Sequence, residues 1–338
     1  MKFSTIFRKL KIRWFSAFIV IIALCVSGCT EDSVSSYNSD NSLPPQHSLT
    51  WSPDGSMLAY IFDTYVVIQE PGTNNIRELT GSGFYYEPTW SPDSTKLAYS
   101  SSSYGARDDI YVKNADGSDI AMRLTRHIAA DLHPRWSPDG EKIAFHSSRM
   151  GSMDIWIKNA DGSGDEIPLT SDQASDLNAE WSPDSMKLAF ESTRSENYDV
   201  WMVNADGVDP PVQITFDENQ DRDPIWSPDG TRIAFQSDRG GSQGVWVKNA
   251  DGTGEAIYIS AGYTDSSMQK WSPDSNWIAF ASEGEILVNR SDGTGVAEKI
   301  ADGIEPCWSP DGAIMAVVAW TEDSRYRVQF IEVPEKFR

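Results

Sequence analysis

Residues 136–145 read WSPDGEKIAF, and the tetrad W-S-P-D that opens them occurs seven times, with its Trp at 51, 90, 136, 181, 226, 271 and 308. The intervals are 39, 46, 45, 45, 45 and 37 residues. A period of roughly 40 to 45 residues with strand-like content is that of propeller blades. Each full unit follows one plan: the pentad W-S-P-D-G/S, an apolar strand such as Ile143-Ala144-Phe145, a polar loop such as SSRMGSMD (147–154), a strand such as Ile155-Trp156-Ile157, the turn NADG, and a strand closing on Leu-Thr. The stretch leading into the Trp makes the fourth strand. Thirteen Trp, 24 Gly and 18 Pro suit many short strands joined by tight turns, and no amphipathic helix is legible after residue 28. The predicted fold is all-β, a seven-bladed β-propeller of four-stranded antiparallel blades, with six complete blades plus an imperfect seventh element as the alternative. The last copy, WSPDGAIMAVVAWTEDSRYRVQFIEV (308–333), supplies only three strands. Its fourth is expected from the segment before Trp51, so that the N- and C-terminal strands pair and remove the free edges of an open sheet.

The pentad has a reading that needs no ligand. The Trp ends the inner strand and offers a large flat surface to the neighbouring blade. Ser-Pro-Asp-Gly suits a type I turn, with Pro presetting φ and Asp hydrogen-bonding back to the turn amides. Four copies end in Gly and three in Ser (Ser94, Ser185, Ser275), which implies that a positive φ is not obligatory there. The NADG turns at 114–117, 159–162, 204–207 and 249–252 are the outer hairpin turns. The literal G-x-S-x-G of Gly240–Gly244 aligns with a hairpin loop between two strands, not with the strand-to-helix turn that a nucleophile elbow requires.

The N-terminus is set apart from the repeats. MKFSTIFRKLKIR carries five basic residues and is followed by WFSAFIVIIALCV, an apolar run of thirteen. As a helix that run spans about 20 Å, short of the roughly 30 Å hydrocarbon layer, so it reads as a secretion signal. It ends in Val26-Ser27-Gly28-Cys29, which resembles a bacterial lipobox, so residues 1–28 are expected to be a lipoprotein signal peptide and Cys29 the lipidated residue. Residues 29–46, rich in Ser and Asn and ending near Pro-Pro, read as a flexible tether, and 47–338 as the propeller. The 28 basic residues less the five of the leader leave 23 against 50 acids, a net charge of −27. Such a surface repels nucleic acid and anionic lipid. Cys25 leaves with the leader and Cys29 is expected to carry lipid, which leaves Cys307 without a disulfide partner.

The combination W-S-P-D-G-x-x-I-A-F, S-x-R, I-W-x-x-N-A-D-G and L-T resembles the repeat of the TolB-like propellers, also called WD40-like or PD40, over roughly residues 47–338. The resemblance is specific for fold and less so for function. It implies kinship with the TolB component of an envelope system, with propellers that gate a peptidase domain, and with polysaccharide lyases. The expected departures are an α/β domain ahead of the propeller and a hydrolase domain after it, neither of which is legible here.

Function is expected where the symmetry breaks and loops converge, on the face opposite the pentads and NADG turns. Asp131, Asp176 and Asp221 each lie five residues before a Trp, and Arg149, Arg194 and Arg239 thirteen after one. They form either pairs with one another or a charged ring facing a ligand. His127, His133 and His146 fall within twenty residues, and His146 aligns with Glu191 and Gln236 of the next two blades. Asp131, Arg149, Asp176, Arg194, Asp221, Arg239, Glu191 and Gln236 make up the candidate binding face, and the three histidines are the candidate metal ligands. The expected function is a non-catalytic, lipid-anchored envelope propeller that binds a protein, peptide or glycan on its loop face. It is expected to be monomeric, without cofactor or nucleic acid, and held as an outer-membrane lipoprotein facing the periplasm or the cell surface. The alternative is a metal-dependent polysaccharide lyase or hydrolase with a divalent metal on the three histidines.

Overall fold

In each repeat the segments pair in chain order into one antiparallel sheet, as they do in blade three, where Asp131–Trp136, Lys142–Ser147, Asp154–Asn159 and Ile167–Pro168 lie side by side. The computed structural model describes residues 48–73, 75–102, 107–261, 269–321 and 326–338. Six sheets have four strands. The seventh has three, Ile304–Trp308, Ile314–Trp320 and Tyr326–Glu332. The closing strand expected from the segment before Trp51 lies outside the described residues. First strands of neighbouring blades touch, including Thr50–Trp51 of blade one against Ile304–Trp308 of blade seven, so the first strands form the inner wall of a ring and the fourth strands its rim.

The core lies between blades. In blade three, Ile143 and Phe145 pack towards blade two and Ala144 towards blade four, and all three are buried. A strand buried on both faces reads as a continuous apolar run, which is why I-A-F does not alternate. In every repeat the middle Ala faces the Trp of the next blade: Ala59 and Trp90, Ala98 and Trp136, Ala144 and Trp181, Ala189 and Trp226, Ala234 and Trp271, Ala279 and Trp308, and at the closing seam Ala316 and Trp51. A small side chain is needed because the indole occupies the space a larger one would take. Five of the indoles also donate Nε1–H to the carbonyl of the residue before the preceding Trp. These are Trp51 to Cys307 (3.0 Å), Trp90 to Thr50 (3.1 Å), Trp181 to Arg135 (3.0 Å), Trp271 to Ile225 (3.3 Å) and Trp308 to Lys270 (3.2 Å). Burial at Cys307 pushes its thiol pKa up.

The pentad turns correct one expectation. Their fifth residue has φ between +60° and +75° in all seven copies, Ser94, Ser185 and Ser275 included. The three serines stay in this left-handed region because their Oγ has a partner: it accepts the amide N–H of Asp54, Asp139 and Asp229 from the preceding blade at 3.1, 3.0 and 3.1 Å. Within each turn the pentad Ser donates to its Asp, at 2.5 to 2.6 Å in all seven copies. The Asp in turn accepts the amide two residues on, as in Glu141 N–H to Asp139 (2.9 Å). Residues 240–243 form the expected hairpin, with Gly244 opening the next strand.

Candidate functional site

Three residues before the Trp of blades two, three, four, five and seven the inner strand breaks register in a β-bulge. Glu87, His133, Asn178, Asp223 and Glu305 sit there with φ of +46°, +55°, +52°, +50° and +55°, and Ser48 of blade one matches them at +47°. The counterpart in blade six, residue 268, lies outside the described residues. A left-handed conformation costs a non-glycine residue about 1 kcal/mol or more, and glycine would adopt it freely. The chain nevertheless keeps a side chain at every described position, and five different residue types among six. The backbone repeats and the chemistry does not, which is the pattern of a site held by a symmetric scaffold.

The bulges free backbone groups, and the second strand of the preceding blade reaches across to several of them. His146 Nε2 accepts Ala179 N–H (3.2 Å), and Glu191 accepts Asp223 N–H (2.8 Å). Gln236 donates to Gln269 (3.0 Å), which donates to the Asp223 carbonyl (2.7 Å). Around the ring His133 Nδ1 lies 2.6 Å from Glu87 Oε2 and Arg135 Nη1 3.1 Å from the same oxygen, while Arg135 Nε lies 3.3 Å from Glu180. Asn178 donates to Asp223 at 2.7 Å. The rings of His133 and His146 are 5.0 Å apart. Burial opposes charge at Glu87, but His133 and Arg135 prevail and hold its carboxyl far below the usual range. Burial, with His133 beside it, lowers the pKa of His146 well below that of free imidazole, so His146 is neutral. Burial raises Glu191, and burial together with Glu191 raises Asp223. The arrangement offers fixed hydrogen-bond donors and acceptors and two carboxyls held towards the protonated form.

Of the residues predicted from sequence, His133, His146, Glu191 and Gln236 belong to this network. Asp131, Asp176 and Asp221 are fully buried at the starts of their strands, and each pairs with the Arg of its own blade. Arg149 meets Asp131 at 2.7 Å, Arg194 meets Asp176 at 2.6 Å, and Arg239 meets Asp221. Each guanidinium also lies over the Trp of the third strand: Trp156 at 4.5 Å, Trp201 at 4.8 Å and Trp246 at 5.2 Å. The structure thus places these six in intrablade pairs. His127 stands apart from the other two histidines. Its Nδ1 accepts Ala129 N–H (3.0 Å), and it lines a cleft of about 260 Å³ with Arg107 and Arg149. Among the described residues no group of three or more His, Cys, Asp or Glu has metal-holding geometry. The sequence reading misses Glu87, Asn178 and Asp223, at position Trp−3, and Arg135, at Trp−1, although the variety at both positions is visible when the repeats are compared.

The loop face also carries exposed aromatic side chains. Trp320 (54% exposed), Phe62 (47%), Phe84 (65%) and Tyr86 (39%) lie on blades seven, one and two, and Phe216 (72%) lies between the last strand of blade four and the first of blade five. Trp320 meets Tyr326 edge-on at 4.7 Å, and Tyr326 and Tyr65 pack on one cluster shared by blades seven and one. Gly83 N–H donates to the Thr64 carbonyl (3.0 Å), which sets Phe84 beside the hairpin that carries Phe62.

The described residues form a seven-bladed propeller whose repeat symmetry is broken by the residues at the bulges of the inner strands. The TolB beta propeller domain, PD40, matches residues 29–179 and 168–338, and the chain belongs to that family. No curated protein matches the sequence. Among solved structures it is similar to TolB from Acinetobacter baumannii (20% identity, TM-score 0.55, 76% of this chain and 63% of that one). The putative TolB from Agrobacterium tumefaciens is also similar (22%, TM-score 0.54, 77% and 95%). So is an oligogalacturonate lyase in complex with manganese (12%, TM-score 0.69, 86% and 91%). The chain spans less than two thirds of the Acinetobacter protein, and at these identities the likeness is one of fold.

Proposed function

We propose that this protein is a non-catalytic envelope propeller that captures a protein, peptide or glycan on its loop face, held to the outer membrane through lipid on Cys29. In this reading residues 1–28 are the leader, 29–46 the tether, and 47–338 the binding domain, facing the periplasm or the cell surface as a monomer. The observation that carries the reading is the aromatic rim of Phe62, Phe84, Tyr86 and Trp320. Exposed rings gathered beside a polar, hydrogen-bonding channel are the composition of an interface, where aromatic anchors supply area and a polar centre supplies specificity. Asp131, Arg149, Asp176, Arg194, Asp221 and Arg239 serve in it as the rigid frame of the loops.

The test is capture from an envelope extract by Cys29→Ser protein, with and without Phe84→Ala and Trp320→Ala. Both side chains are exposed, so the double variant is expected to fold as the parent does and to lose most of the captured partner. Equal capture by both proteins would refute the rim as the contact surface. Palmitate labelling of parent and Cys29→Ser protein tests the anchor, and label retained by the variant would refute it.

The lyase alternative rests on the paired rings of His133 and His146 and on the likeness to a manganese-bound lyase. The donor set fits poorly: His146 Nε2 is taken by an amide, His133 Nδ1 by Glu87, and His127 is elsewhere. Metal analysis of purified protein decides this alternative, and stoichiometric transition metal lost in His133→Ala would revive it.

A further inference from the structure

The seams between blades two to five repeat one arrangement. The first residue of each inner strand donates its amide to the carbonyl just before the third strand of the preceding blade: Asp131 to Asp108 (2.8 Å), Asp176 to Met153 (2.8 Å) and Asp221 to Tyr198 (2.7 Å). This bond brings buried carboxyls together in pairs, Asp109 with Asp131, Asp154 with Asp176, and Asp199 with Asp221, none more than 2% exposed. Two like charges in a dry seam need donors.

The fourth strand supplies those donors in two of the three blades. At the position paired with the third residue of the third strand, blade two has Arg123 and blade four has Gln213. Arg123 donates to Asp109 at 2.5 Å, and Gln213 to Asp199 at 3.0 Å. Ser195 (2.6 Å) and Thr215 (3.1 Å) also donate to Asp199. In blade three the same position is Pro168, which has no donor at all. Asp154 is left with one long contact, from Ser152 at 3.5 Å, and its Oδ1 has no partner. Asp176 accepts from Arg194 through Oδ2, and its own Oδ1 is likewise unpartnered. At the flanking seams one member of each pair is fully engaged: Arg149 holds both oxygens of Asp131, and Asp199 has three donors. Among the described pairs only Asp154 and Asp176 each carry a buried orphan oxygen.

We propose that Asp154 and Asp176 share one proton across the seam of blades three and four, which makes this seam a pH-responsive joint of the ring. The proton comes from solvent and supplies the donor that Pro168 withholds. On its release the seam holds two carboxylates against one guanidinium. The charged groups facing the pair are Arg194, on Asp176 Oδ2, and Asp172, which lies 3.3 Å from Arg194 Nη1. The hydroxyls of Ser152, Thr170 and Ser192 complete the surroundings. Arg149 is committed to Asp131 and Glu166 at the preceding seam. Burial, then Asp176, then Asp172 raise Asp154 to about 7, and burial raises Asp176 against the pull of Ser192 and Arg194.

The sign follows from linkage. Between the unfolded carboxyl pKa of about 4 and the native value, the native state holds one proton more than the unfolded state, so this pair makes stability fall as pH rises through that window and adds no slope above it. One proton corresponds to an unfolding constant that grows up to about tenfold per pH unit. The experiment is denaturant unfolding of the full chain at intervals from pH 5 to 8, with Asp154→Asn and Pro168→Gln. Asn keeps a donor for Asp176 without a titrating group, and is expected to remove up to about tenfold per pH unit from the pH dependence. Gln supplies the amide that Gln213 supplies next door, and is expected to reduce the dependence while the carboxyl remains. A parental slope in Asp154→Asn overturns the proposal. Should that variant fail to fold, an unchanged slope in Pro168→Gln overturns it on its own.

Discussion

Replacing Arg149 with Met tests whether the Asp–Arg pairs are framework. The side chain is 7% exposed, and its Nη2 donates to both oxygens of Asp131 at 2.7 and 2.8 Å. Its Nε donates to Ser147 (2.9 Å), another nitrogen reaches Glu166, and its plane lies 4.5 Å from the centre of Trp156. Methionine fills much of the volume over the indole but leaves Asp131, with no exposed surface, as a buried charge without its partner. Breaking such a pair from one side costs about 3–5 kcal/mol, and the lost cation–π contact adds about 1 kcal/mol. Against a total stability of roughly 5–15 kcal/mol this is severe. Guanidinium unfolding should show the midpoint falling at constant slope. Arg149→Met combined with Asp131→Asn should cost clearly less than the two single changes added, because the orphaned charge is gone. A single-variant cost below about 1 kcal/mol, or strict additivity in the cycle, would refute the reasoning. A variant that folds like the parent but captures no partner would return these residues to the binding face.

Three further outcomes follow from the repeat. Ser185→Ala loses the acceptor for Asp139 N–H and keeps the left-handed backbone, costing about 1 kcal/mol or more, while Ser185→Gly relieves the conformation and should cost less in the same unfolding assay. Ala144→Leu pushes against Trp181 and should cost about 1–3 kcal/mol, with a shift in tryptophan emission. On the acid side, Ser hydroxyl hydrogen bonds lower Asp54, Asp93, Asp184 and Asp311, and at Asp139, Asp229 and Asp274 partial burial opposes the same bonds and loses. Native values below the unfolded one mean that these turns stabilise above about pH 4 and lose that contribution as pH falls through the native values. An acid titration followed by fluorescence should show Asp184→Asn less acid-sensitive than the parent.

The repeat was legible because burial on both faces and turn chemistry act locally. WSPDG and NADG mark chain reversals, and I-A-F marks a strand with blades on either side, so blade number and strand order could be counted from the chain. The pentad serines misled for a physical reason: their left-handed backbone is supported by an amide from another blade, 46 residues away for Ser185. The channel ring was obscured for a similar reason. Glu87, His133, Asn178 and Asp223 look unrelated along the chain and become one network only when the bulge turns each of them inward.

The sequence by itself determined the seven-fold β-architecture, the face on which the pentads lie, and the recurrence of Asp and Arg at fixed positions in blades three to five, because those follow from patterns within a single repeat. Only the tertiary structure decided which of these groups meet. It paired each Arg with the Asp of its own blade, kept His127 away from His133 and His146, and set Asp154 against Asp176 with Pro168 beside them. Such contacts cross seams, where distance depends on ring closure and not on spacing along the chain.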